Sequence, residues 1–131
     1  MNRRHWLIIL ALGVALGLLS GCRFDGSTLR VNGHLFTIYS MPRKLRPGPV
    51  QIGLRVQDPD YRILTNLSAQ LTWTEPETDQ SHTVAMKPGP GKDYRAKIVW
   101  TRPGVYVLRV AVTVPDGSIL SAVYRVEVPA R

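Results

Sequence analysis

Val50-Gln51-Ile52-Gly53-Leu54-Arg55-Val56 decides the fold: apolar Val50, Ile52, Leu54 and Val56 alternate with Gln51, Gly53 and Arg55. A period of two sends alternate side chains to opposite faces, so this stretch reads as a strand with one buried face. The pattern recurs along the chain. Ala69, Leu71 and Trp73 alternate with Gln70 and Thr72, and Tyr94, Ala96, Ile98 and Trp100 alternate with Arg95 and Lys97. Further on, Tyr106, Leu108, Val110 and Val112 form an inward row with Arg109 facing away, and Leu120, Ala122, Tyr124 and Val126 form another opposite Arg125.

Turn residues separate these rows. Asn32-Gly33 lies between residues 28–31 and 34–38, a two-residue hairpin signal because both positions want positive φ. Pro115-Asp116-Gly117 is expected to join the last two strands in the same way. Arg46-Pro47-Gly48-Pro49, Asp58-Pro59-Asp60, Pro88-Gly89-Pro90-Gly91 and Arg102-Pro103-Gly104 punctuate the middle. No stretch has capped, helix-period patterning. The expected fold is all-β, an immunoglobulin-like antiparallel β-sandwich of about seven or eight strands, with a small barrel as the alternative.

The chain opens Met1-Asn2-Arg3-Arg4-His5, then runs apolar over residues 6–19, interrupted only by Gly13 and Gly17. That run is shorter than the roughly 20 apolar residues a membrane-spanning helix needs, and its basic start and small-residue end have the form of a secretory signal. Its end, Leu19-Ser20-Gly21-Cys22, resembles the lipobox of bacterial lipoproteins, in which the cysteine thiol takes a diacylglyceryl group before cleavage. A membrane anchor, or an ordinary signal with a chance cysteine, is the plainer alternative. Cys22 is the single cysteine of the chain, so it can form no internal disulfide. A doubly acylated cysteine would hold the protein durably where one chain would not. The expected organisation is a signal over residues 1–21, a lipidated tether over 22–27 and one sandwich domain over 28–131. Arg23, where an inner-membrane retention signal often has Asp, leans towards the outer membrane if the cell is Gram-negative.

The chain of 131 residues carries a net charge of +8 and stays basic without the first 21 residues. Export removes nucleic acid as a partner and leaves acidic headgroups, or an acidic protein, as what a basic surface would meet.

From residue 34 to about 128 the order of features resembles YtkA-like and FixH-like periplasmic domains. A Pro-Gly loop leads into the strand ending at Val56, an Asp-containing loop follows at Asp58 to Asp60, and a strand ends in Trp73. Then come a polar segment with Met86, Gly91-Lys92-Asp93-Tyr94-Arg95-Ala96, and Pro103-Gly104-Val105-Tyr106-Val107-Leu108. The aromatic often found after the second Gly is displaced here to Tyr106, and Tyr61-Arg62-Ile63-Leu64 replaces the family's Gly-rich loop. The resemblance implies a non-enzymatic accessory role, in some relatives tied to respiratory-oxidase assembly or metal handling, beside a membrane or periplasmic protein partner.

Catalysis finds little support. The domain has only His34 and His82 as histidines, and no Gly-x-Ser-x-Gly elbow or phosphate loop. Glu75 with Glu77, and Asp58 with Asp60, sit in Pro-containing polar stretches that read as solvated turns. No enzyme is expected.

Copper is the sharper alternative, since exported copper sites use His and Met thioether ligands. The candidates are His34, Met41, His82 and Met86. On one strand His82 and Met86 would share a face about 13 Å apart, too far for one ion, and His34 and Met41 would face opposite sides. A site would need ligands from different strands; otherwise Met86 is core filler and His82 a loop or edge residue. Among surface features, Arg43, Lys44 and Arg46 could contact anionic headgroups or a partner, or form a solvated loop. Arg55, Arg95, Lys97, Arg109 and Arg125 could form a basic face on one or both sheets.

Overall fold

The computed structural model describes residues 14–19 and 27–130. The proposed lipidation site, Cys22, and most of the expected signal and tether lie outside the described residues. The strands are β1 (Val14–Leu19), β2 (Ser27–Val31), β3 (His34–Met41), β4 (Gly48–Gln57), β5 (Ser68–Thr74), β6 (Ser81–Pro88), β7 (Tyr94–Trp100), β8 (Gly104–Thr113) and β9 (Ile119–Val128). A short 3₁₀ turn at Pro90–Lys92 is the helical element among the described residues.

The strands join in the order β1-β9-β8-β5-β6-β7-β4-β3-β2. β1 runs parallel to β9, and the other pairs are antiparallel. The result is an all-β sandwich approaching closure, with β9, β8 and β5 in one layer and β7, β4, β3 and β2 in the other. β6 links the layers. It pairs with β5 from Thr74↔Ser81 to Ala69↔Met86, then reaches β7 only at Lys87↔Arg95 and Pro88↔Tyr94.

Every inward row expected from the sequence is buried: Val50 to Val56 on β4, Ala69 to Trp73 on β5, Tyr94 to Trp100 on β7, Tyr106 to Val112 on β8 and Leu120 to Val126 on β9. A register slip of one residue would turn such a row to solvent, so alternation fixes the pairing as well as the strand. Each buried Val, Leu or Ile contributes about 1.5–3 kcal/mol of transfer free energy. The Tyr124 hydroxyl donates to the Phe36 carbonyl (3.1 Å), a buried bond from β9 to β3 across the layers, and burial pushes that phenol's pKa well above its ordinary value.

The turns differ in one respect from expectation. Asn32 and Gly33 have φ of 48° and 82°, the two positive values of a type I′ hairpin. At the β8–β9 turn only Gly117 is positive (φ 93°), with Gly117 N–H donating to Val114 O (2.8 Å) and Val114 N–H to Ser118 O (2.9 Å). This is a longer turn closed by a left-handed residue, because Pro115 cannot take positive φ.

The basic residues divide between the layers. Arg55, Arg95 and Lys97 lie on β4 and β7, while Arg109 and Arg125 lie on β8 and β9.

Candidate functional site

β4 begins and β7 ends at one end of the sandwich, since Gly48 pairs with Trp100. The chain leaves Trp100 there and returns as β8 at Gly104, and β5 and β6 meet there at Thr74↔Ser81. Three connections therefore converge at this end: 42–47, 75–80 and 101–103.

Glu75 is the centre of the cluster they form. It follows directly on the inward Trp73 row and is only 7% exposed. A buried carboxylate needs partners, and it has them. His82 Nε2–H donates to Oε2 (2.6 Å) and Thr101 Oγ1–H donates to Oε1 (3.1 Å), while Arg102 Nη2 stands 4.0 Å from Oε1. An ionised carboxylate only accepts, so the ring nitrogen that faces it, Nε2, is the one that carries the proton of this bond. The His82 hydrogen bond, helped by Thr101 and Arg102, holds the Glu75 carboxyl below its ordinary pKa against the opposing effect of burial. The imidazole lies against Trp73, ring centroids 5.1 Å apart, and its side chain is 42% exposed.

Tyr106 anchors the neighbouring loop. Its hydroxyl donates to Arg102 O (2.9 Å), accepts from Arg102 N–H (3.0 Å) and lies 3.2 Å from Thr101 Oγ1. This is the bond pattern of the tyrosine corner of immunoglobulin-like sandwiches. Trp100 packs on its ring at 4.6 Å. Among the described residues, Nε1 of Trp100 and Nε of Arg102 are buried without a hydrogen-bond partner.

A second polar cluster lies on the outer face of the β3–β4–β7 layer. Asp93, 5% exposed, accepts from the Tyr39 hydroxyl and from Arg55 Nε (2.9 Å). Tyr39 reaches it by lying over Gly53, where an added Cβ would stand 2.3 Å from Tyr39 Cζ. Burial, then the Asp93 hydrogen bond, raises the Tyr39 pKa, and the same carboxylate raises that of Arg55.

The structure does not bring the four sequence candidates for metal together. Met86 is a core residue, 5% exposed and paired with Ala69. His34 begins β3 at the opposite end, its Nδ1 3.3 Å from Asn32 O. Met41 pairs with Gln51 on the outward-facing register of β3 and β4. His82 stands at the loop end, and so does Met41, the last residue of β3 before the 42–47 loop, but on a different layer. Among the described residues, no group of three or more His, Cys, Asp or Glu side chains is placed to hold a metal ion. Arg43, Lys44 and Arg46 are exposed on the loop at this end, pinned by Leu45, which is fully buried. No helix among the described residues is long and apolar enough to cross a membrane.

Sequence reasoning missed the Glu75–Thr101 and Tyr39–Asp93 contacts, which join residues 26 and 54 positions apart.

The chain matches no family model and no curated protein. Among solved structures it is similar to CopC from Methylosinus trichosporium OB3b. The TM-score is 0.51 at 14% identity, over 81% of this chain and 95% of that one. The likeness is one of fold, and it agrees with the β-sandwich read from the alternating rows.

Proposed function

We propose that this chain is a lipid-anchored, non-enzymatic accessory module on the extracytoplasmic side of a bacterial membrane, resembling YtkA-like domains. The observation that carries the reading is a convergence at one end of the fold. Ser27 pairs with Ile38, so the point where the expected tether enters the sandwich lies towards the end holding the basic 42–47 loop and the Glu75–His82 pair. An acyl group on Cys22 brings that end to the bilayer, where Arg43, Lys44 and Arg46 meet anionic headgroups at about 1 kcal/mol each. A membrane protein partner would meet the same end. Acyl labelling tests the anchor: the parent chain should take acyl label and Cys22→Ser should abolish it, and a parent that takes no label, or a variant labelled as strongly as the parent, refutes it.

Copper binding or delivery is the second reading, and two observations favour it. One is the shared fold with CopC. The other is the Glu75–His82 bond, which has the form of a carboxylate orienting a metal-ligating imidazole through its second nitrogen. Titration of the processed chain with copper(I) and copper(II) against a competing chelator decides. One equivalent, weakened tenfold or more by His82→Ala, supports the copper reading; no competition with the chelator leaves the interaction module.

A further inference from the structure

β7 is paired along its whole length with β4, from Gly48↔Trp100 to Leu54↔Tyr94, but its other side meets β6 only at Arg95 and Tyr94. Beyond Arg95 the two strands part, because β6 stays with β5. Among the described residues, the ladder direction of β7 from Ala96 to Trp100 is therefore an open sheet edge, about 16 Å long at 3.3 Å per residue. Such an edge offers a row of backbone donors and acceptors to any extended chain. A groove of about 470 Å³ occupies this seam, lined on the apolar side by Val84, Ala85 and Ala96 and on the polar side by Lys87, Arg95 and Lys97. Among the described residues no carboxylate lines it. The Nε of Arg95 is buried beside this groove without a hydrogen-bond partner among the described residues.

We propose that the seam between β6 and β7 takes an extended, acidic segment of a partner protein, added as a strand to the free edge of β7. The proposal rests on the interaction-module reading and gives the partner's chemistry. Main-chain bonds to β7 supply affinity, small side chains of the incoming strand cover Val84 and Ala96, and its outward carboxylates meet Lys87, Arg95 and Lys97. An open edge lined by lysines is also how monomers discourage pairing with their own kind; here the same lysines select an acidic strand and reject a basic one.

The test uses the detergent-solubilised full chain and labelled synthetic peptides: alternating Val and Glu, alternating Val and Lys, and two Val-Glu forms N-methylated on one or the other alternate set of amides. The Val-Glu peptide should bind saturably, at least tenfold tighter than Val-Lys, and slow amide exchange over residues 96–100. One of the two N-methylated forms should lose tenfold or more, since only one set of amides faces β7. Lys87→Glu/Lys97→Glu, both exposed positions, should invert the peptide preference without altering the urea midpoint by more than a few tenths of a molar unit. Absence of saturable binding, equal binding of Val-Lys, protection elsewhere, or indifference to both N-methylations each overturns the proposal. Peptide failure with acylation of Cys22 intact removes the seam alone, whereas loss of acylation removes the anchored reading and leaves the peptide result as measured.

Discussion

Replacing Tyr106 by Phe removes a single oxygen from a fully buried ring, and the loss falls on the loop that presents Thr101 and Arg102 to Glu75. Two hydrogen bonds disappear, to Arg102 N–H (3.0 Å) and Arg102 O (2.9 Å). Each has a net worth of about 0.5–1.5 kcal/mol. Arg102 is only partly buried, so water recovers part of the loss and about 2 kcal/mol is expected. With a urea slope of about 1–3 kcal/mol/M the midpoint should fall by about 1 M, and the melting temperature by about 8–16 °C for a domain of this size. Tyr124→Phe is the internal control. It removes one bond, to Phe36 O, and should cost about 1 kcal/mol. Equilibrium urea unfolding followed by tryptophan fluorescence measures both. A Tyr106→Phe variant within about 0.3 kcal/mol of the parent, or one less affected than Tyr124→Phe, would refute the assignment of the corner as a structural fixture of this end.

Gly53→Ala should destabilise by about 1–3 kcal/mol, because the new Cβ displaces Tyr39 and takes the hydroxyl from the buried Asp93 carboxylate; in a Tyr39→Ala background most of that cost should vanish, and a double-mutant cycle in urea checks it. Met86→Ala should cost about 2–5 kcal/mol as a core truncation and leave any copper affinity unchanged, whereas His82→Ala should leave the core intact and abolish copper competition if metal is the cargo. For Glu75, the folded carboxyl is held below its unfolded value of about 4.3. Its contribution is therefore complete above that pH and is lost as pH falls through the folded value, since the unfolded chain binds the proton first. Urea midpoints should drop on acidification below about pH 4, and Glu75→Gln should flatten that drop; an unchanged acid slope contradicts the bond to His82.

The rows at Val50 to Val56 and Tyr106 to Val112 were legible because a buried face imposes a period of two that no other structure shares. β6 was harder to read. Ser81, His82, Thr83 and Ala85 are exposed, so only Val84 and Met86 mark its inward side, and two residues make no period. The same reasoning explains Met86, which the alternation of β6 places in the core beside Ala69 rather than at a surface site. The Glu75 cluster was legible only as a carboxylate between a strand and a proline. His82 reaches it from seven residues on, across the β5–β6 hairpin, but Thr101 and Arg102 arrive from the loop after β7, and the crossing that brings that loop in is a property of layer order, not of local pattern. Asp93 is similar: it stands before the β7 row, and what buries it is Tyr39 folding over a glycine in a third strand.

The strands β8 and β9 are ten residues each, which at about 3.4 Å per residue makes the hairpin about 34 Å long. Ser27, where the expected tether enters the fold, lies towards one end of this hairpin and the turn at 115–118 lies at the other. For a chain held at Cys22, the hairpin is then a standoff rod. It sets the height above the bilayer at which the Asp116 turn, with His34 beside it, is displayed, while everything near Glu75 stays within headgroup reach. Lengthening both strands by one residue pair would raise that display without touching the anchored end.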